Sequence, residues 1–401
     1  MIRRVFLAQA LLLAFAGAAG LAAAEERFEI ILEAADGMAD GQSLRRSLAA
    51  QLEGRFDEFN RIFRFDPERL EGPLAVRAFG ERLAYESHVE ALSGRPAASG
   101  ATYLHFEDPA LRELAVDLSG DWDREGIAEG GAEGGIGELS FQAFAQFLRA
   151  FVPNPPEWIF AGFGARFAAL SIDGNGVASL EESQAWLESV KAMPLLPEPF
   201  EIMAEGARDR LENFVGLAWS LASFFLNHTD GSYLRSLGES LAALESAAGA
   251  EENAAIALAR IAMWHDPGTI ARSHRAYLDS RETFAELIEL GRAERSAGRT
   301  AEARAAFRRA AEMRPEHYAG PYYLGLVAYD EGDAEAAHDH YLAAHALGAD
   351  PELVAFALAL NAAAAGWLDD AVELLRAAAS LAPDRFGARA EDVMERIQAL
   401  R

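Results

Sequence analysis

The sequence contains no cysteine among its 401 residues. This absence excludes disulfide bonds, a lipid-modified cysteine and thiol chemistry. Histidine is also scarce, and none occurs between His105 and His228. The central part of the chain therefore cannot supply histidine ligands to a metal ion.

Basic residues are few, with 36 Lys and Arg against 63 Asp and Glu, which gives a formal net charge of −27 at pH 7. Such an acidic chain argues against nucleic acid or an anionic membrane as its main partner. After the first 24 residues, no segment has 18 uninterrupted apolar residues, so we expect no transmembrane segment there. Half of the residues are hydrophobic, which predicts a globular protein.

Residues 1–24 have the pattern of a secretion signal. Arg3 and Arg4 precede an apolar run that reaches about Leu21, and small residues follow at 22–24. This order is typical of a signal peptide that is removed, while a membrane anchor is the alternative. We therefore expect an exported protein, either periplasmic or extracellular.

The most informative stretch is residues 139–167, LSFQAFAQFLRAFVPNPPEWIFAGFGARF. Apolar residues of its first part keep mostly helical spacing on one wide face, which predicts a helix. Three prolines end that helix, because proline lacks a backbone donor and disfavours helix in the residue before it. A second predicted helix begins near Trp158 and carries Gly162 and Phe167.

This combination resembles the gluzincin metallopeptidases of the peptidase-MA-like group. In that family a HExxH helix is followed, after a Pro-rich turn, by a helix that reads roughly W-L-x-E-G-L-A-E-Y-F. Trp158, Gly162 and Phe167 match the second motif. The resemblance implies an α+β domain at residues 25–280, and the order of predicted strands and helices before residue 139 agrees with it.

The resemblance also implies that the catalytic site has been lost. Counting back from Trp158 places Phe141 at the first zinc histidine and Gln142 at the general-base glutamate. Ala145 then takes the place of the second histidine, and Ala161 that of the glutamate ligand. Phenyl and methyl groups cannot bind zinc, and a carboxamide cannot accept a proton as a carboxylate does. We expect no catalytic residues and no zinc here, and the alternative is a buried helical hairpin without peptidase ancestry.

Residues Ser171–Glu182, SIDGNGVASLEE, admit two interpretations. In an EF-hand frame Asp173, Asn175 and Glu182 fall at suitable positions for calcium. However, Ser171 occupies the first ligand position, where Asp is required, and Asp-Gly and Asn-Gly are typical of tight turns. A turn is the favoured interpretation, and calcium binding is the alternative. Further along the chain, His265, Asp266 and His274 show no metal-ligand pattern, and we expect them to be solvated.

Residues 284–385 contain a 34-residue repeat. The units are 284–317, 318–351 and 352–385. Turn glycines recur at the same step: Gly298, Gly332 and Gly366. Small residues also recur at equivalent positions, and the pattern resembles the tetratricopeptide (TPR) repeat. The resemblance implies an all-α solenoid of paired helices, and residues 386–401 are predicted to form a helix that caps it.

The TPR resemblance implies a concave groove built by the first helix of each pair. Carrying over the inward positions gives an aromatic, apolar groove with two cations at one end. Its residues are Ile288, Arg292, Arg295, Tyr322, Leu326, Tyr329, Leu353, Phe356 and Leu360. Such a groove favours a peptide or helix, with the arginines meeting acidic groups. Alternatively, the capping helix or the upstream domain fills it.

Together these patterns predict an α+β gluzincin-like domain followed by an all-α TPR solenoid, predominantly helical overall. The expected function is the binding of a protein or peptide partner without catalysis. Two alternatives remain: a hydrolase that uses Glu157 or Glu138 of the same cleft, and a calcium-stabilised structural protein. The partner and the oligomeric state are not specified by the sequence.

Overall fold

The computed structural model describes residues 27–33, 41–119, 136–173 and 176–400. The predicted signal peptide and Asn175 lie outside these residues. The described residues form two compact units, which divide between Ser280 and Arg281. The chain is predominantly helical, with a small mixed sheet in the N-terminal unit. Within the described residues, no helix is both long enough and apolar enough to cross a membrane.

Four short strands form the sheet of the N-terminal unit. They are β1 (Phe28–Glu33), β2 (Leu74–Phe79), β3 (Ala101–Leu104) and β4 (Glu113–Asp117). Their order is β1-β2-β4-β3, and only the pairing of β3 with β4 is antiparallel among them. Parallel neighbours need a crossover, which helix α1 (Gly41–Phe63) provides between β1 and β2. In the order β1-β2-β4-β3, strand β3 lies at one edge of the sheet.

The rest of the N-terminal unit is helical apart from one β-hairpin. Its other helices are α2 (Arg82–Ser93), α3 (Ile136–Phe151), α4 (Glu157–Phe167), α5 (Gln184–Lys191), α6 (Pro199–Met203), α7 (Ala207–Arg210), α8 (Phe214–Asn227), α9 (Gly231–Ala242), α10 (Ala250–Trp264) and α11 (Pro267–Asp279). Strands β5 (Leu170–Ile172) and β6 (Ala178–Leu180) form the hairpin between α4 and α5. Single 3-10 turns occur at Pro67–Arg69 and Pro109–Leu111.

Phenylalanine rings from α1, α3 and α4 form the centre of this unit. On α1 and α3 they recur three or four residues apart, so each helix turns one aromatic face inward. Phe59 lies 4.6 Å from Phe167 between ring centroids, and Phe56 meets Phe147 edge-on at 5.1 Å. Each such pair contributes about 0.5–1.5 kcal/mol beyond the burial of its area. These contacts hold the two helices of the 139–167 stretch against α1.

The second unit consists of paired helices and a final helix. They are α12 (Phe284–Ser296), α13 (Thr300–Met313), α14 (Ala319–Asp330), α15 (Ala334–Ala346), α16 (Pro351–Ala365), α17 (Leu368–Leu381) and α18 (Pro383–Leu400). The second helices of the three pairs begin at residues 300, 334 and 368, which are 34 residues apart.

The turn inside each pair has the same backbone geometry. Gly298, Gly332 and Gly366 have φ values of 74°, 77° and 83°, a region that glycine adopts without a steric cost. The amide that follows each glycine donates to a carbonyl five residues earlier, at 2.9, 3.0 and 2.8 Å. This is the helix-ending pattern that glycine favours. The 34-residue period of the sequence is therefore also a period of the backbone.

Candidate functional site

A cavity of about 230 Å³ lies in the second unit. Residues of α12, α14, α15, α16 and α18 line it, so elements far apart in the sequence converge there. The lining residues are Arg295, Tyr322, Leu326, Tyr329, Tyr341, Leu353, Phe356, Ala357, Leu360, Arg385, Phe386 and Arg389. They combine aromatic and aliphatic walls with three guanidinium groups.

The structure brings together seven of the nine predicted groove residues. The seven that line the cavity are Arg295, Tyr322, Leu326, Tyr329, Leu353, Phe356 and Leu360. Ile288 and Arg292 do not line it, and Ile288 belongs to a buried core cluster. The guanidinium of Arg292 donates to Glu289 at 2.6 Å on the exposed surface of α12.

Helix α18 contributes residues that the sequence analysis did not assign to the groove. Phe386 stacks on Phe356 with 4.8 Å between ring centroids and 29° between ring planes. Arg385 and Arg389 from the same helix complete the lining. The signal in the sequence was the helical spacing of Phe386, Ala390 and Ile397, which places them on one apolar face of the helix. All three are buried in the structure.

The three guanidinium groups of the cavity differ in their partners. Arg295 makes a two-pronged ion pair with Asp330, at 2.5 and 2.9 Å. Arg385 lies 3.5 Å from a carboxylate oxygen of Asp350 and 3.9 Å from one of Glu352. Arg389 has no ion pair with any residue that the structure describes, and its guanidinium lies over an aromatic ring, 4.5 Å from the centroid of Phe356.

The charges of the three arginines act on Tyr322. Burial raises the pKa of Tyr322, the neighbouring Tyr323 adds to that, and the positive charges of Arg295, Arg385 and Arg389 act in the opposite direction. Burial also raises the pKa of Tyr341. Both phenols are therefore neutral at physiological pH.

The lining residues of the cavity are apolar, aromatic or cationic. Among the lining residues there is no carboxylate, histidine, serine or threonine that would act as a base or a nucleophile at neutral pH. Pockets for drug-sized molecules are larger than this cavity, about 300–1,000 Å³. The cavity therefore matches one large side chain.

In the N-terminal unit, the side chains at the four positions aligned with a zinc site either pack against their neighbours or make hydrogen bonds. The ring of Phe141 packs on Gly164, where an added Cβ would lie 2.5 Å from Cε2 of the ring. Ala145 and Ala161 are only 4% and 2% exposed. Gln142 accepts from the amide of Tyr103 at 2.9 Å.

Both the oxygen and the nitrogen of the Gln142 carboxamide make hydrogen bonds. Its oxygen holds the edge strand β3 through Tyr103, and its nitrogen donates to Oε1 of Glu138 at 2.7 Å. A glutamate at this position could not donate to Glu138, and it would place two like charges four residues apart on one helix. The amide therefore has a structural role that a general base would not fill.

The described residues between Ser171 and Glu182 include the end of β5 and the whole of β6. Ser171 pairs with Ser179 across the hairpin, and the amide of Gly176 donates to the carbonyl of Asp173 at 2.9 Å. Glu182 bonds elsewhere, to Nδ2 of Asn227 at 3.0 Å and to the hydroxyl of Tyr277. Within the described ranges, no group of three or more acidic or histidine side chains is arranged to hold a metal ion. Weak or absent calcium binding stays a prediction.

The two carboxylates of the hydrolase alternative lie in different surroundings. Glu138 accepts from Gln142, whereas Glu157 lies 3.9 Å from Nε of Arg208. Burial raises the pKa of Glu205, and the neighbouring charges of Glu157 and Glu251 raise it further. The structure thus places Glu157 near Glu205, a partner that the sequence analysis missed.

No protein-family model matches this chain, and no curated protein matches it in sequence.

Proposed function

We propose that this chain is an exported, non-catalytic binding protein. Its second unit is a TPR-like solenoid that binds a segment of a protein or peptide partner. Its N-terminal unit is a degenerate peptidase-MA-like domain that serves as a scaffold. The observation that carries the proposal is the cavity, in which aromatic walls and guanidinium groups meet without any group suited to catalysis.

Three features support the solenoid. The paired helices, the repeated turn geometry and the close approach of the two helices in each pair have the same period. In the second pair an added Cβ on Gly325 would lie 2.6 Å from the ring of Tyr341, so a small residue is required there. Repeats of this kind present a concave surface built from successive units.

Two features support the degenerate peptidase domain. The order strand, helix, strand, helix, strand, strand precedes the two helices that carry the motif. Trp158, Gly162 and Phe167 each make a packing contact within the core. The proposal that zinc and hydrolysis are absent rests on the residues at positions 141, 142, 145 and 161.

We expect the double substitution Tyr322→Ala with Tyr329→Ala to abolish capture of the partner. Both side chains form the aromatic wall of the cavity, and residues of this type carry much of the energy of interfaces. The measurement compares proteins retained from an envelope extract by the wild-type chain and by the variant, after circular dichroism has shown an equal helix content.

The matched control is Leu342→Ala with Leu381→Ala. These side chains are 46% and 59% exposed and lie outside the cavity, so the control removes apolar surface without touching the wall. It should retain the partner. Capture that survives the tyrosine double substitution would place the binding site outside the cavity.

We expect the natural protein to carry no stoichiometric zinc. The variant Phe141→His, Gln142→Glu, Ala145→His, Ala161→Glu should bind zinc, because it rebuilds three ligands and a base around one point. The control carries Ala165→Glu in place of Ala161→Glu, which moves the third ligand one helical turn away. Elemental analysis of the folded proteins gives the zinc content.

Zinc near one per chain in the natural protein would contradict the loss of the site. A folded quadruple variant that binds no more zinc than its control would contradict the proposed register, and with it the family resemblance. Catalysis is not required of the variant, because partners that orient the ligands are also needed for activity.

A further inference from the structure

We propose that the occupant of the cavity is a large apolar side chain with a carboxylate beside it, and that Arg389 receives the carboxylate. This inference rests on the proposed function and specifies its ligand. It follows from the size of the cavity, from the partners of its three arginines and from the position of Arg389 over two aromatic rings.

The cavity determines the apolar half of the ligand. Its 230 Å³ lie between Tyr322, Leu326, Phe356 and Leu360, which present rings and aliphatic groups. One aromatic or long aliphatic side chain fills such a space, and an extended segment does not. The rest of the ligand must therefore lie at the rim.

The ion-pair partners of the three arginines indicate where the polar group of the ligand binds. Asp330 holds Arg295 in a two-pronged ion pair, and Asp350 and Glu352 lie near Arg385. Arg389 has no carboxylate partner in the described part of the chain.

Arg389 combines ring contacts with the absence of an ion-pair partner among the described residues. Its guanidinium carbon lies 4.5 Å from the centroid of Phe356 and 5.6 Å from that of Phe386, within range of a cation–π interaction. The N–H donors of a guanidinium match a carboxylate in a two-pronged geometry. A single ligand would therefore place its apolar group in the cavity and its carboxylate beside that group, at Arg389 on the rim.

An acidic side chain or the free carboxyl terminus of a chain supplies the same chemistry. The test selects peptides that bind the full chain without residues 1–24 from two displayed libraries of random heptapeptides, one with a free and one with a blocked carboxyl terminus. We expect enriched peptides to carry a large apolar residue next to Asp or Glu, or next to the free terminus. The library that is enriched identifies the source of the carboxylate.

Substitutions at Arg389 test its role with the strongest selected peptide. Fluorescence anisotropy should show that Arg389→Gln weakens binding about tenfold, the effect of one hydrogen bond to a charged group. Arg396→Gln is the matched control on the same helix, since Arg396 pairs with Asp392 and does not line the cavity. Arg389→Glu should redirect the selection toward peptides with Lys or Arg. Equal thermal unfolding midpoints show that the variants fold.

Two outcomes would overturn the inference, and they are distinguishable. Apolar peptides without a neighbouring acid, bound equally by Arg389→Gln, would refute the carboxylate while leaving the binding function in place. Enriched peptides that still bind after Tyr322→Ala with Tyr329→Ala, or no enrichment at all, would refute the cavity as a binding site and the proposed function with it.

Discussion

Replacing Gly162 by alanine should lower the free energy of unfolding of the N-terminal unit by about 3 kcal/mol, the upper part of the range for overpacking. An added Cβ would lie 2.7 Å from the carbonyl carbon of Ala218 on α8 and closer still to its oxygen. Those atoms belong to a buried helical backbone and cannot rotate away as a side chain does. Urea unfolding followed by tryptophan fluorescence measures the loss.

Gly238→Ala is the control for this experiment. Gly238 also lies within a helix, α9, but nothing lies within 4 Å of an added Cβ. Alanine there should stabilise the protein by about 0.4–1 kcal/mol, because it restricts the unfolded chain and favours helix. If the two substitutions have equal effects, α4 and α8 do not approach as closely as the structure shows.

The close approach at Gly162 is one of several core contacts of α4. Trp158 packs near Phe225 of α8, and Phe167 contacts Phe59 and Phe144. Under the proposed peptidase ancestry, these contacts give Trp158, Gly162 and Phe167 a packing role that does not depend on a metal ion.

Acid should destabilise the N-terminal unit through His274, by about 2–3 kcal/mol between pH 7.5 and pH 4.5. Burial lowers the pKa of His274 to about 3, and the nearby charge of Arg275 adds to this. Because the folded-state pKa lies below the usual value of about 6.5, the unfolded chain binds a proton first as the pH falls. The stability from the neutral ring is present above pH 6.5 and is lost progressively toward pH 3.

The hydrogen bonds of His274 show why the charged ring is not accommodated. The hydroxyl of Ser220 donates to the carbonyl of Leu217 at 2.7 Å, so its oxygen accepts from Nε2 of His274 at 3.0 Å. Nδ1 is buried and has no partner among the described residues. A second proton on the ring would therefore meet no acceptor, which is costly inside a protein.

Urea unfolding at pH 7.5 and pH 4.5 tests this linkage. His274→Gln keeps a donor toward Ser220 but cannot be protonated, so it should be less stable at pH 7.5 and show a smaller difference between the two pH values. His345→Gln, at an exposed position of α15, should keep the full difference. An unchanged difference in His274→Gln would show that other groups carry the acid lability.

The sequence predicted elements well where one face is apolar and failed where a helix is mostly polar. Helices α3 and α4 were predicted from their apolar spacing and the prolines between them. Helix α11 was missed. Its buried face consists of Ile270, His274, Tyr277 and Leu278, of which two are polar or amphipathic. The prediction of a solvated His274 was therefore wrong, since helical spacing places it on the buried face.

For the cavity, the 34-residue repeat determined which lining residues could be predicted from the sequence. Inward positions of first helices follow from the 34-residue period, and this gave Tyr322, Leu326, Tyr329, Phe356 and Leu360. Phe386 and Arg389 lie beyond the last repeat, where no period applies. The pairing of Arg295 with Asp330 was also out of reach, because it joins residues 35 positions apart on successive first helices.

The contribution of α18 to the cavity lining links the cavity to local unfolding. In an array of stacked helices each helix is held by the neighbours it packs against, and α18 packs chiefly against α17. We therefore expect α18 to open at a lower free energy than the whole array unfolds, which amide exchange measures. Each opening removes Phe386 and Arg389 from the cavity. The measured affinity for an occupant is therefore lowered in proportion to the fraction of molecules in which α18 is open. An occupant that bridges Phe356 and Arg389 would in turn slow amide exchange along α18.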